Sequence, residues 1–205
     1  MTTDQGQDPD RTIPRTSMTP EEIEAADPGS AARLDGRVTL VEPDPLWPVV
    51  YATEAERIGT ALAALPHRLE HVGSTSVPGL PAKPVVDILL AVPDSAAERT
   101  YVPGLEGLGY GLVVREPDWY EHRVLRHPAV APGIDYVNLH VFTAGCPEID
   151  RMTGFRDRLR THPADRELYA RTKRDLSRRT WEYVQDYADA KTEVVEEILR
   201  RAGRG

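Results

Sequence analysis

One segment constrains this chain more than any other: Val85-Val86-Asp87-Ile88-Leu89-Leu90-Ala91-Val92, apolar at every position but one. A run of this kind reads as a central strand covered on both faces. A carboxylate inside it is costly to bury unless something answers its charge. Asp87 therefore calls for a metal ion or a basic partner, or else sits as a hydrogen-bonded cap near a sheet end. The segment before it is equally unusual. Between a strand expected at Arg68 to Val72 and the apolar run lies Gly73-Ser74-Thr75-Ser76-Val77-Pro78-Gly79-Leu80-Pro81-Ala82-Lys83-Pro84, with two glycines, three hydroxyls and three prolines. Proline orders such a loop and glycine leaves its backbone open to approach.

The flanking patterns predict an α/β or α+β domain. Val38 to Val41 reads as a short strand. A helix starts with Pro48 in its first turn and repeats apolar residues at Val49, Ala52, Ala55, Ile58, Ala61 and Leu62. Asp94 can cap a helix running to Leu108, stopped by Gly109. Strands follow at Tyr110 to Val114, Arg123 to Arg126 and Tyr136 to Phe142, which makes a mixed sheet of about six strands. Three helices close the chain: Glu148 to Arg160, Ala164 to Arg178, and Trp181 to Ala202. The domain is expected to span residues 38–202, with its sheet in 38–146 and its helices in 147–202. The first 37 residues hold four prolines and eight acidic side chains without an apolar period, and are expected to form a disordered tail, with a transient helix at Pro20 to Ala26 capped by Thr19.

Composition removes several classes of function. The chain has 205 residues, 40% of them hydrophobic, enough for a real core. No stretch reaches the roughly 20 apolar residues of a membrane span, and the start is polar and acidic, unlike a signal or transit peptide, so a cytoplasmic location and no membrane partner are expected. The single cysteine, Cys146, can form no internal disulfide and no thiolate pair for zinc. Net charge is −8, yet residues 151–205 carry 14 basic and 10 acidic side chains. An acidic total disfavours nucleic acid, while a local basic surface suits a phosphate-bearing small molecule.

Backbone N–H groups of Gly73 and Ser74, with the Ser74 hydroxyl, can hold phosphate oxygens. A Gly-Ser pair after a strand, then twelve residues, then an aspartate on the next strand, resembles the signature of the nucleotidyltransferase superfamily. The match is closer to one family. Val41-Glu42-Pro43-Asp44-Pro45 with Trp47, the run His71 to Leu80 with Ala82-Lys83-Pro84 and Asp87-Ile88-Leu89, and Glu121-His122-Arg123 all fit it. So do Leu139-His140-Val141-Phe142, Phe155-Arg156-Asp157 with Leu159-Arg160, His162-Pro163, Tyr169 with Lys173, and Tyr187, Lys191 and Ile198. Over residues 38–202 the chain resembles the GrpB family, nucleotidyltransferase-like proteins sometimes fused to dephospho-CoA kinase.

The resemblance implies a nucleotidyltransferase-like mixed sheet flanked by helices, with a C-terminal helical segment. It also implies a nucleoside triphosphate as substrate, Mg²⁺ or Mn²⁺ as cofactor, and an unknown small-molecule acceptor. In that reading Gly73, Ser74, Thr75 and Ser76 hold phosphates, Lys83 and Arg123 neutralise charge, and Tyr169 and Lys173 border the cleft from one helix face. Asp87 and His140 hold metal, with Glu121 as a further catalytic carboxylate. Metal-dependent transfer ordinarily places two carboxylates two residues apart on one strand. Here Leu89 stands at the second position, so His140, on the strand face of Tyr136 and Asn138, is the candidate replacement as metal ligand or general base. Alternation lets only one of Glu70 and His71 reach the site, and His71 can instead orient the loop. Two other readings compete: a noncatalytic accessory module with a protein partner, which Leu89 favours, and an antibiotic-modifying nucleotidyltransferase, which the acidic N-terminal half would suit.

Overall fold

The structure, a computed structural model, describes residues 33–128 and 130–203. The tail segment 1–32, including the helix expected at Pro20 to Ala26, lies outside the described residues. Five strands form the main sheet: β2 (Arg68–Val72), β3 (Val85–Val92), β4 (Gly111–Glu116), β5 (His122–Pro128) and β6 (Tyr136–Thr143), in the spatial order β2-β3-β6-β5-β4. Only β3 and β6 run parallel; the other neighbours are antiparallel. The mixed sheet flanked by helices, with a helical C-terminal segment, is the architecture the sequence predicts.

Alternation divides the sheet into two faces. Val86, Ile88, Leu90 and Val92 of β3, Val137, Leu139 and Val141 of β6 and Leu125 of β5 join one buried apolar cluster. Helix α1 (Leu46–Ala61) closes this face with Trp47, Val50 and Ile58, and the short α2 (Val102–Glu106) adds Leu105. On the other face Val72, Leu89, Ala91 and Phe142 pack against Ile149 of α3 (Pro147–Thr161). Beside that cluster, α4 (Pro163–Ser177) and α6 (Thr192–Arg201) clamp the loop before β3: Val77 and Leu80 pack with Leu159, Tyr169, Ala170, Val194 and Ile198.

Four expectations are corrected. Val38 to Val41 is not a strand of the sheet; it makes one bridge, Val41 to Ala82, before Pro43 and Pro45 end any pairing. Asp94 to Leu108 is not one helix, because Pro103, Gly104 and Gly107 leave only a 3₁₀ turn at Glu98–Thr100 and the five residues of α2. Trp181 to Ala202 is likewise interrupted: Trp181–Tyr183 is a strand, β7, followed by α5 (Val184–Asp189) and then α6. The partner of β7 is β1 (Arg33–Gly36), four residues that the sequence assigns to the tail and that pair antiparallel with it. Non-local pairing overrides the helical pattern there, and Asp186 restarts the helix by accepting the Tyr183 N–H at 3.1 Å. No helix among the described residues is long and apolar enough to cross a membrane.

Candidate functional site

The site grows from strand register. Asp87 on β3 pairs with Asn138 on β6, which pairs with Arg126 on β5, so one polar residue from each of three strands lies in a row on the α3 face. The row is hydrogen-bonded throughout. Arg126 Nε donates to Asn138 Oδ1 at 3.1 Å, and Asn138 Nδ2 donates to Asp87 Oδ1 at 3.1 Å. The Arg126 guanidinium also lies over the Tyr136 ring at 4.5 Å. In the next row His140 sits beside Leu89, its Nε2 3.5 Å from Asp87 Oδ1 and its Nδ1 3.2 Å from Nε2 of His122. The far nitrogen of His122 meets Glu116 Oε2 at 2.7 Å.

The Gly73 loop closes over Asp87. Gly73 has φ 69° and ψ −172°, a conformation that suits glycine. A Cβ at this position would overlap the Asp87 carboxylate and lie 3.1 Å from its Cβ and Cγ. The turn Ser74–Ser76 is braced from behind. Ser76 Oγ donates to the Gly73 carbonyl at 2.6 Å, and Thr75 Oγ1 meets His71 Nε2 at 3.2 Å. His71 in turn stacks on Tyr51 at 4.6 Å. Arg160 donates twice to the Ser76 carbonyl, at 3.0 and 2.8 Å, while Arg156 donates to the His71 carbonyl at 2.9 Å and to Glu70 Oε2 at 2.7 Å. Thr75 and Ser76 thus spend their hydroxyls inside the turn, whereas Ser74 bonds to Tyr169 of α4. The expected choice between Glu70 and His71 resolves with both as braces of the loop.

Lysines from the loop before β3 and from the helical segment come close to Asp87. Lys83 and Lys191 place their Nζ atoms 6.0 and 4.5 Å from the centre of the Tyr187 ring. Lys173, 2% exposed, donates to the Pro81 carbonyl and lies 4.9 Å from the Tyr169 ring centre. Burial, then repulsion from Lys83, pushes the Lys191 pKa down to about 8. Burial also lowers Lys83 and drives Lys173 well below the lysine range. Burial alone would raise Asp87, but its neighbours His140 and Asn138 and the charge of Lys83 hold it below the usual carboxylate value. Burial lifts Tyr169 to about 12. The Tyr187 hydroxyl is buried and has no hydrogen-bond partner among the described residues, and its side chain packs with Val38 and Leu176.

The fold gathers Gly73, Ser74, Lys83, His140 and Tyr169 about Asp87, buries Lys173 behind them on the Pro81 carbonyl, and separates two residues from the group. Arg123 pairs with Val141 and shares the α1 face, where it donates to Glu98 Oε1 at 2.6 Å. Glu121, with φ 51°, turns to the same guanidinium at 3.0 Å. Glu121 therefore does not stand beside Asp87, and Arg123 has no path to the pocket: strand parity puts residue 123 on the side opposite residues 122 and 124. His122, Glu116, Asn138 and Arg126 enter in their place. Parity with His140 signals Asn138, but the cross-strand register that brings His122 and Arg126 in carries no local sequence mark.

The donor set argues against a protein-held divalent ion. No group of three or more His, Cys, Asp or Glu side chains is placed to hold one metal ion among the described residues, and Leu89, where a second carboxylate would stand, is fully buried in an apolar cluster. Hard cations need several oxygen ligands, and Asp87 supplies one carboxylate among Lys83, Lys191 and Arg126. Charge and hydrogen-bonding capacity here suit an anion.

The same segments recur in relatives. A UPF0157 protein of Halalkalibacterium halodurans is 51% identical over 187 residues, which are 91% of this chain and 93% of that protein. A dephospho-CoA kinase of Mycolicibacterium paratuberculosis is 31% identical over 186 residues, covering 80% of this chain and 46% of the kinase. The crystal structure of the conserved protein GrpB from Enterococcus faecalis superposes with a TM-score of 0.65 at 28% identity, over 80% of this chain and 98% of that one. The family model described as GrpB protein matches residues 37–201, the sheet, the Gly73 loop and the lysine-bearing helices together, and the chain belongs to the GrpB family.

Proposed function

We propose that this protein binds a nucleoside triphosphate by its phosphates between the Gly73–Ser74 turn and the lysines of the helical segment, and transfers the nucleotidyl group to a small-molecule hydroxyl. One observation carries the reading: a glycine packed directly on Asp87, with Lys83, Lys191 and Arg126 around that carboxylate. Backbone N–H groups at a glycine turn and flanking ammonium groups are the ordinary means of holding phosphate. Any Mg²⁺ or Mn²⁺ would enter as the counter-ion of the triphosphate, held by phosphate oxygens. Asp87 and His140 lie at the floor of the pocket, where the reacting hydroxyl would sit.

The test is calorimetric titration of ATP, GTP, CTP and UTP, each with and without Mg²⁺, into wild type, Lys83→Ala, Lys191→Ala and Asp87→Asn. Binding of at least one nucleotide, weakened roughly tenfold by each lysine substitution and kept by Asp87→Asn, is the expected pattern. Failure of all four nucleotides to bind overturns the reading. A noncatalytic accessory module is then the better account. Burial of Leu89 where transferases carry a carboxylate favours it, as does the match to less than half the length of a dephospho-CoA kinase.

A further inference from the structure

Glu116, His122, His140 and Asp87 form an unbroken line of side chains from β4 through β5 and β6 to β3. Carboxylates close both ends, and the 2.7 Å contact of Glu116 rather than the 3.5 Å contact of Asp87 fixes the order of donors along it. An ionised carboxylate only accepts, so the 2.7 Å contact with Glu116 requires the proton of His122 to be on Nδ1. A neutral His122 then has a bare Nε2, which must accept across the 3.2 Å contact, and the donor there is Nδ1–H of His140. A neutral His140 whose proton is on Nδ1 has its lone pair on Nε2. That lone pair points to the pocket, 3.5 Å from Asp87 Oδ1.

The rings are held in place for this. His122 is 2% exposed, lies 4.5 Å from Phe142 in a stack, and takes Trp119 edge-on at 5.1 Å. The His122 and His140 ring planes are 7° apart. His140 keeps 22% of its side chain open, so the only ring of the pair that meets solvent presents its basic atom. Asp87 and Asn138 face it from β3 and β6. Lys83 and Arg126 lie around Asp87, and so do Lys191, the N-cap of α6, and Tyr169 of α4.

We propose that Glu116 and His122 are positioning residues that hold His140 in its Nδ1–H form, so that Nε2 takes the proton of a hydroxyl-bearing acceptor. The chemical use rests on the transfer reading above. The acceptor O–H gives its proton to Nε2 of His140 while its oxygen bonds to the α-phosphorus. The bond from that phosphorus to its bridging oxygen breaks, and pyrophosphate leaves with the electron pair. The new Nε2–H then has Asp87 as its acceptor, which stabilises the imidazolium. A carboxylate beside the imidazole thus serves after proton transfer, and the second histidine serves before it.

The test reads the tautomer directly and needs no nucleotide. Long-range ¹⁵N–¹H correlation spectra of the imidazoles, recorded above the histidine titration range, are assigned by the loss of one spin system in His140→Gln. Wild type is expected to show a proton on Nδ1 and a pyridine-like Nε2 at His140. In His122→Phe, which keeps the stack on Phe142, His140 is expected to change to the Nε2–H form that histidine favours in water. A proton on Nε2 in wild type overturns the proposal, and so does an Nδ1–H form that persists in folded His122→Phe. The wild-type spectrum decides alone if His122→Phe fails to fold. Nucleotides that do not bind would sink the transfer reading and leave the tautomer assignment standing.

Discussion

The α1 face of the sheet and the α3 face are built from the same strands, yet one is closed and the other is left polar. Under α1, the alternate residues Val86, Ile88 and Leu90 meet Leu139, Val141, Trp47 and Ile58 without a gap in apolar character. Under α3, apolar packing by Leu89, Ala91 and Phe142 stops one residue short of Asp87, and a row of hydrogen-bonded polar groups begins. The lesson is that the stabilising and ligand-facing roles are separated by strand parity rather than by element. A residue that shares a side with Ile88 belongs to the closed face, whereas one that shares a side with Asp87 lies in the α3 cluster or in the polar row beside it.

Substitutions can break that division or sharpen it. Leu89→Asp stands where it would be cut most sharply: restoring the second carboxylate buries a charge among Val72, Phe142 and Ile149 and should cost about 4 kcal/mol in urea unfolding. A stable Leu89→Asp protein would mean the polar row extends further along β3 than the packing allows. Ile88→Ala, on the closed face, is expected to lose about 3 kcal/mol with nucleotide affinity unchanged. A change in affinity equal to the stability loss would show the faces to be coupled.

Gly73→Ala should cost about 1–3 kcal/mol through its left-handed φ and its overlap with Asp87, and should abolish phosphate binding in the protein that remains folded. Unaltered binding would remove the turn from the site. Lys191 gives a smaller, pH-dependent effect. Its ammonium form binds anions, so affinity should fall as pH rises past about 8, and Lys191→Arg should flatten that fall. The stability contribution has the opposite trend. With its folded pKa below the ordinary lysine value, the unfolded chain binds more protons between about 8 and that value, and stability from this group rises with pH across the window. Glu121→Gln should be the mildest change, within about 0.5 kcal/mol and without effect on nucleotide affinity. A tenfold loss of affinity would contradict the side of the sheet on which Glu121 lies.

Much of this was legible without coordinates. The apolar run from Val85 announces the central strand, and the glycine, serine and aspartate around it mark the pocket floor, because both signals are local. Val38 to Val41 and Trp181 to Tyr183 were not legible in the same way. The first has β-branched residues but makes a single bridge, to Ala82, and the second has a helical pattern overridden by four residues nearly 150 positions earlier. Site residues divide likewise. Lys83 and Asp87 follow from their neighbours in sequence, but Arg126 and His122 follow only from the pairing of β5 with β6, and Arg123 looked eligible because parity cannot be counted until a strand's start is known.

The row from Asp87 through Asn138 to Arg126 has a consequence for how the sheet assembles. Shifting β6 by one residue against β3 would turn Asn138 and His140 into the apolar layer under α1 and bring Val137 or Leu139 to the ligand side. Such a misaligned sheet would strand Asp87 without its amide partner and bury polar groups with no answer. The polar row therefore sets the native register of β6 against β3 apart from the one-residue slip, which would cost the buried hydrogen bonds as well as the apolar packing.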